Sequence, residues 1–305
     1  MGKLVIAKRC GRLANRLVLF ANIAAWAEEH SLRVTNYTFQ GFAHFFIGTN
    51  GTMDCSFPFE GKPAGRLTKL IKHRLNAIRL QYQLTYLFSK ILRRIKFLRK
   101  FYPILSDNDF KSTKSLTDLD VLQSIKEKNT VFLSGWRFRD PRLLVKHAVK
   151  IKRFFSPVSE YQEQVSRLVK DARKNCEILV GLHIRRGDYE KWKSGKYFYS
   201  LEEYVETAQR LIALYPQRNV GFLICSNQTV ERSSFKNLQV HISTCSPIVD
   251  LYALSECDLL IGPPSTFTQW ASFYGNTPLK HIYSVKEEIS LQDFAVSDLG
   301  QIPGS

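Results

Sequence analysis

Short apolar runs alternate with segments of helical periodicity along most of this chain. Lys3 to Ala7 forms a compact apolar strand that runs through Gly11 into a helical pattern from Asn15 to Glu29, and Leu32 to Tyr37 follows as a second strand. The stretch from Thr38 to Pro58 is aromatic and glycine-rich with little periodicity. Thr130 to Ser134 is the next clear strand, leading into Gly135-Trp136-Arg137-Phe138-Arg139-Asp140. A proline-containing turn over Phe154 to Ser159 then changes the character of the chain.

Beyond that turn the alternation is regular. A helix is predicted over Glu160 to Lys174, then a strand Ile178 to Ile184, a helix Leu201 to Ala213 and strands Val220 to Cys225 and Gln239 to Ile242. Helix Pro247 to Glu256, strand Asp258 to Ile261, helix Thr266 to Phe273 and strand Leu279 to Tyr283 complete it. Apolar strands alternating with helices predict an α/β fold with mostly parallel sheets covered on both faces, which bind ligands outside the carboxyl ends of their strands. A length of 305 residues suits two domains, taken here as 1–155, with a basic helical insertion at about 61–128, and 156–305.

The insertion changes the picture of charge. The chain carries 44 Lys+Arg against 27 Asp+Glu, a formal net charge of +17, and 12 of those cations lie between Gly61 and Ser106, where there is no acidic residue. Within it Leu84, Leu87, Phe88, Ile91, Leu92, Ile95 and Leu98 keep the spacing of one helical face, with Lys90, Arg93, Arg94, Lys96, Arg99 and Lys100 largely on the other side. Such a basic amphipathic helix either packs its apolar face on the core under a solvated basic face, or lies on an anionic membrane or holds an acidic or lipid-linked acceptor. Phosphate affinity alone does not predict nucleic acid, because no RNA or DNA motif accompanies the charge.

Six cysteines without a C-x-x-C pair give neither a zinc ribbon nor a redox dithiol and are read as reduced thiols. The N-terminal apolar segment is too short for a signal h-region, and no run of 18 apolar residues occurs, so a cytoplasmic protein is expected, peripheral on the inner face of a membrane if the basic helix takes its membrane reading. The sequons at Asn36, Asn50 and Asn227 are read as chance matches for the same reason.

Three segments carry chemistry. The strand Ile178 to Ile184 ends in a cluster of His183, Arg185, Arg186, Asp188 and Tyr189, with Gly187 permitting a tight turn. Paired arginines there suit a diphosphate, since each guanidinium is a fixed fork of donors that keeps its charge; the alternative is an internal Arg/Asp ion pair capping the strand. The second segment, Ile261-Gly-Pro-Pro-Ser-Thr-Phe-Thr-Gln-Trp270, places Ser265 and Thr266 at a helix start, which is an anion site or an ordinary N-cap. The third places Asp250 near the start of another helix, where capping is again the plain reading.

Taken together these pieces resemble the α-1,2-fucosyltransferases. His183-Ile-Arg185-Arg186-Gly-Asp188-Tyr189 is similar to their His-x-Arg-Arg-Gly-Asp-Tyr element, shared in looser form with α-1,6- and protein O-fucosyltransferases. Gly11-Arg12-Leu-Ala-Asn15 resembles the Gly-Arg-x-Gly-Asn loop of that superfamily, and Asp250-Leu-Tyr-Ala-Leu through Thr266-Phe267-Thr-Gln-Trp270-Ala271 its C-terminal element. Leu133-Ser-Gly-Trp136 is similar to the strand end before the second domain. The matches run in order from residue 11 to about 283 and leave 61–128 unaccounted for. Ala14 for glycine, Arg16 for glutamine and Cys225-Ser-Asn227 for a more acidic strand end depart from the pattern.

The resemblance implies a GT-B-like pair of Rossmann-like domains facing a cleft, and an inverting transfer of fucose from GDP-fucose to a glycan or lipid-linked glycan hydroxyl, most readily α-1,2. Protein O- or α-1,6-transfer, or a non-catalytic basic module binding nucleic acid or membrane, are its alternatives. It implies that Arg185 holds the β-phosphate, that His183 contacts the diphosphate or ribose, and that Ser265, Thr266 and Phe267 bind phosphates and flank the nucleotide; Arg186 is counted with the donor-binding residues. Asp250 would read guanine, and Arg12 and Asn15 would close the site from the first domain. Arg185 then stabilises the departing diphosphate without a metal or prosthetic group; Asp188 and Glu190 are the candidate bases, the alternative being a late proton transfer without a dedicated base. A metal-dependent transfer would instead use Asp107-Asn108-Asp109 or Asp118-Leu-Asp120.

Overall fold

The computed structural model describes residues 2–52, 54–59, 71–95, 97, 98, 101–106, 123, 125, 127, 128 and 130–304. Both Asp-x-Asp triplets, and Lys96, Arg99 and Lys100 of the basic segment, lie outside them. The chain divides into two compact units, 1–158 and 159–305, so the break falls after Val158.

The N-terminal unit is built on a four-stranded parallel sheet in the order β2-β1-β4-β3, from β1 (Lys3–Ile6), β2 (Arg33–Thr35), β3 (Ile104–Ser106) and β4 (Thr130–Ser134). Helix α1 (Leu13–Glu29) connects β1 to β2 and is buried on every side from Leu17 to Ala27. Its one polar residue there, Asn22, donates to the Val18 carbonyl at 2.9 Å and accepts from the Asp140 amide at 2.8 Å, so burial leaves neither amide atom unmet. The aperiodic aromatic stretch forms a 3₁₀ segment, Tyr37–Phe45, and its rings pack edge-to-face with Phe20, Phe154 and Phe155, which explains its lack of a helical or strand period.

Helix α2 (Ile71–Arg94) begins earlier than the apolar spacing suggests, and its apolar face is not buried across its width. Leu92 is fully buried, Phe88 packs on Phe132, and Leu98 is partly buried against the same cluster, but Leu84, Leu87, Ile91 and Ile95 are exposed. Helices α3 (Pro141–Lys146) and α4 (Ala148–Phe154) follow β4 and cover α1.

The C-terminal unit has a five-stranded, fully parallel sheet in the order β7-β6-β5-β8-β9. In chain order it runs α5 (Ser159–Ala172), β5 (Ile178–Ile184), α6 (Leu201–Ala213), β6 (Val220–Ser226), β7 (Val240–Ile242), α7 (Pro247–Leu254), β8 (Leu259–Gly262), α8 (Thr266–Gly275) and β9 (Leu279–His281). All seven residues of β5 are buried, as its unbroken apolar run requires of a central parallel strand. The fold is therefore α/β with two parallel sheets, each Rossmann-like.

Candidate active site

The carboxyl edge of the C-terminal sheet gathers the chemistry. Strand β5 delivers His183 from its last turn of pleat and Arg185 and Arg186 just beyond it. Gly187 reverses the chain at φ +51°, a left-handed conformation in which an added Cβ would also lie 3.0 Å from the Asn227 amide. The 3₁₀ turn Gly187–Glu190 that results returns Asp188 to Arg185, with Nη2 to Oδ2 at 2.8 Å. Asn227, at the end of β6, accepts from the Arg186 amide at 2.9 Å and donates to Asp188 Oδ1 at 3.4 Å.

Tyrosines brace this loop from below. The Tyr204 hydroxyl accepts from the Arg185 amide at 3.3 Å, and the Tyr189 hydroxyl donates to the Pro264 carbonyl at 2.6 Å, tying the β5 loop to the β8 loop. Burial pushes the Tyr189 hydroxyl up to about 12, so it remains a donor at any working pH. The Arg185 guanidinium lies over the Tyr189 ring and that of Arg186 over Phe198, and Nε of both is buried without a hydrogen-bond partner.

His183 is a buried neutral base. Its Nδ1 lies 3.2 Å from the Cys225 carbonyl, and since a carbonyl only accepts, the ring proton sits on Nδ1. Nε2 is then an unprotonated acceptor, and it is buried without a partner. Burial, then the charge of Arg185, pushes this imidazole down to about 3. Its ring stacks on Phe267 with centroids 5.0 Å apart. Strand β8 comes this close because Gly262 has no side chain: a Cβ there would meet the His183 carbonyl at 2.6 Å.

Helix α8 starts beside this stack. Ser265 is its N-cap, accepting from the Phe267 amide at 3.1 Å, and Thr266 opens the helix, both nearly buried. The plain reading of Ser265 as a cap therefore holds, and the cap coexists with backbone N–H groups at the helix start that suit an anion. His281 on β9 packs behind, 3.1 Å from the Thr268 hydroxyl, and burial pushes it down to about 4.

Asp250 does not cap its helix. Ser246 is the N-cap of α7, and Asp250 lies a turn in, where its carboxylate accepts from the Ser243 hydroxyl at the end of β7. It is 7% exposed, and burial raises its carboxyl to about 6 despite that hydrogen bond.

The structure thus brings together His183, Arg185, Arg186, Asp188, Ser265, Thr266 and Phe267, with Asp250 at the β6–β7 side of the same edge; Glu190 is exposed on the Gly187–Glu190 turn. Arg12 and Asn15 belong to the other unit, Arg12 exposed as the N-cap of α1 and Asn15 half-buried in its first turn. There Arg16 holds the preceding loop, donating to the Gly11 carbonyl at 2.9 and 3.1 Å and to the Thr38 carbonyl at 3.0 Å. Among the described residues no cluster of three metal-ligating side chains occurs.

Asn227, Ser243 and Tyr204 complete the site without standing out as functional positions in the sequence, whereas Tyr189 belongs to the strand-end cluster read there. Asn227 carries a signal, as a polar residue at the carboxyl end of a buried strand, although the sequence marks it as a chance sequon and a departure from the family pattern. In the N-terminal unit, burial pushes the Arg139 guanidinium down to about 10 while it donates to the Trp136 and Phe138 carbonyls.

No protein-family model and no curated protein sequence matches the chain. Among solved structures, a mutant of Arabidopsis thaliana FUT1 in complex with GDP is similar over 96% of this chain and 73% of its own, with a TM-score of 0.60 at 12% identity. Fucosyltransferase NodZ from Bradyrhizobium covers 92% of this chain and 96% of its own, with a TM-score of 0.54 at 15% identity. POFUT1 in complex with GDP-fucose covers 90% and 94%, with a TM-score of 0.52 at 10% identity. At these identities the likeness is one of fold.

Proposed function

We propose that the protein is an inverting fucosyltransferase that moves fucose from GDP-fucose to a glycan hydroxyl, with α-1,2 linkage. The observation that carries the reading is the convergence on one sheet edge of Arg185, the start of α8 and a buried carboxylate, Asp250. Those are donors for a diphosphate and an acceptor pair for the N1 and N2 hydrogens of guanine. The fold shared with fucosyltransferase structures that hold GDP or GDP-fucose supports it.

In the transfer, the acceptor oxygen forms a bond to the fucose anomeric carbon from the face opposite the diphosphate. The bond from that carbon to the β-phosphate oxygen breaks, and its electron pair leaves on GDP. Arg185, with one guanidinium nitrogen held by Asp188, turns the rest of its donors to the growing phosphate charge, and Arg186 and the α8 amides share it. His183 presents Nε2 as an acceptor, which suits a ribose hydroxyl better than a phosphate, because a neutral imidazole without a proton on that nitrogen repels an anion. Phe267 flanks the nucleotide. The acceptor proton goes to a carboxylate, and of the two candidates we favour Glu190, since Asp188 is already bonded to Arg185 and Asn227.

Thermal unfolding with GDP, UDP and ADP, with and without EDTA, tests the donor. A ligand at 100 times its dissociation constant stabilises by about 2.7 kcal/mol. A shift with GDP that survives EDTA, absent with UDP and ADP, is the expected result; the absence of a guanine preference would overturn the reading.

A further inference from the structure

Helix α2 carries three stripes where two would do. Ser89 and Leu92 are buried and Phe88 packs on Phe132 of β4, which seats the helix on the N-terminal sheet. A second stripe, Leu80, Leu84, Leu87 and Ile91, follows i, i+4, i+7, i+11 and is open to solvent, with Leu84 and Leu87 more than half exposed. Ile95, Phe97 and Phe101 continue it past the helix end, the last two exposed and ring against ring at 5.5 Å. Exposed Lys90 and Arg94 stand three residues on from Leu87 and Ile91 and so border this stripe.

Isolated exposed leucines need no explanation, but a contiguous row of this length does. The row lines an open groove of about 440 Å³ formed by Leu84, Thr85, Leu87, Phe88, Ile91 and Phe132. No described helix is long and apolar enough to cross a membrane. Charge chooses the occupant: from 61 to 106 the chain has 12 Lys+Arg and no carboxylate, so a partner presenting mixed charges would leave most of these cations unmatched. A surface that is anionic throughout and apolar beneath matches both stripes, and that is an anionic bilayer.

We propose that α2 and the segment after it form a docking face by which the protein lies on an anionic lipid surface, with Leu84, Leu87 and Ile91 entering the headgroup–acyl boundary and Lys90 and Arg94 at the phosphates. The groove beside Phe132 accommodates an acyl chain. The face belongs to the N-terminal unit and shares no residue with those assigned to the donor, so its failure and that of the donor reading are separable.

Vesicle flotation tests it, using the whole protein with phosphatidylcholine alone and with phosphatidylcholine–phosphatidylglycerol mixtures. The unaltered protein should float with the mixed vesicles and not with the neutral ones. Two paired variants, Leu87→Glu with Ile91→Glu and Lys90→Glu with Arg94→Glu, should each lower partitioning about tenfold or more. Each should keep its circular dichroism spectrum and its GDP-induced thermal shift. Should the glutamates unfold the helix, Leu84→Ser with Leu87→Ser makes the same test at lower cost to the fold. Failure of the unaltered protein to bind mixed vesicles overturns the proposal. So does a result in which charge reversal abolishes binding while the apolar variants bind normally, which would make the face a polyanion site.

Discussion

Arg185 and Asp188 form an ion pair across the tight turn at Gly187, Nη2 to Oδ2 at 2.8 Å, with the arginine side chain 16% exposed and the aspartate 44%. The aspartate thereby fixes one arm of a fork whose other nitrogens remain for a ligand. Replacing the guanidinium by a point charge, Arg185→Lys, keeps the sign but loses the fork and its seat over Tyr189. Turnover of GDP-fucose should fall about 10²- to 10³-fold, the usual cost of removing one donor aimed at developing charge. Steady-state kinetics on a protein with unchanged far-ultraviolet dichroism checks this, and a near-normal rate would take Arg185 out of the diphosphate site.

The same pair separates the two candidate bases. An aspartate that positions Arg185 can be replaced by its amide with partial loss, because the side-chain carbonyl oxygen introduced by Asp188→Asn still accepts from the guanidinium. We expect about a tenfold fall in kcat. Glu190→Gln, which alters an exposed carboxylate, should cost about 10²-fold or more in kcat. The reverse ranking would make Asp188 the base.

How much of this was legible in the sequence depends on the range of the interaction. The strands β4 and β5 and helix α6 match their residue patterns end to end, since a buried run or an amphipathic period is a local property. The elements that escaped are short: β3 spans three residues, and α3 and α4 six and seven. Helix α3 had a readable start in Asp140-Pro141, an N-cap followed by proline at the first helical position, and Asp140 does accept from the Leu143 amide. The cluster from His183 to Asp188 was legible as chemistry at a strand end. Its partners were not, because Asn227 and Ser243 meet Asp188 and Asp250 only through the parallel order of β5, β6 and β7. The exposed stripe of α2 escaped for a related reason: spacing says that residues share a face, but only packing says whether anything covers it.

The burial of His183 and His281 has a consequence for stability in acid. Unfolded, both His183 and His281 take up protons near their ordinary 6.5, whereas folded they resist to about 3 and about 4. Asp250 acts the other way, holding a proton up to about 6 when folded and losing it near 3.8 when unfolded. Between pH 4 and 6 the unfolded state therefore binds about one more proton than the folded state from these three groups, and they make stability rise with pH by roughly 1.4 kcal/mol per unit. Denaturant titrations across that range should show the slope. His183→Gln removes one of the two histidine contributions and should flatten it to near zero, while an unchanged slope would mean that His183 is not held neutral by burial.

Asp250 ties binding, stability and pH together at one carboxylate. Without ligand, its burial disfavours the charged form, and a shift from 3.8 to about 6 corresponds to roughly 3 kcal/mol of stability lost on going from acid to neutral pH. A residue held at that cost, with the Ser243 hydroxyl and the Cys225 thiol as its hydrogen-bonding neighbours, is worth retaining if guanine supplies the missing donors. Two opposite outcomes follow from one substitution. Asp250→Asn should raise the melting temperature of the unliganded protein above pH 6, because the buried charge is gone, and should abolish the preference for GDP over ADP. The unaltered protein should bind GDP progressively more weakly as pH falls below about 6, approaching tenfold per unit, since protonation and guanine compete for the same oxygens. Calorimetric titration of both forms from pH 5 to 8 measures this directly. If the unaltered protein and Asp250→Asn bind GDP alike across that range, Asp250 does not read the base.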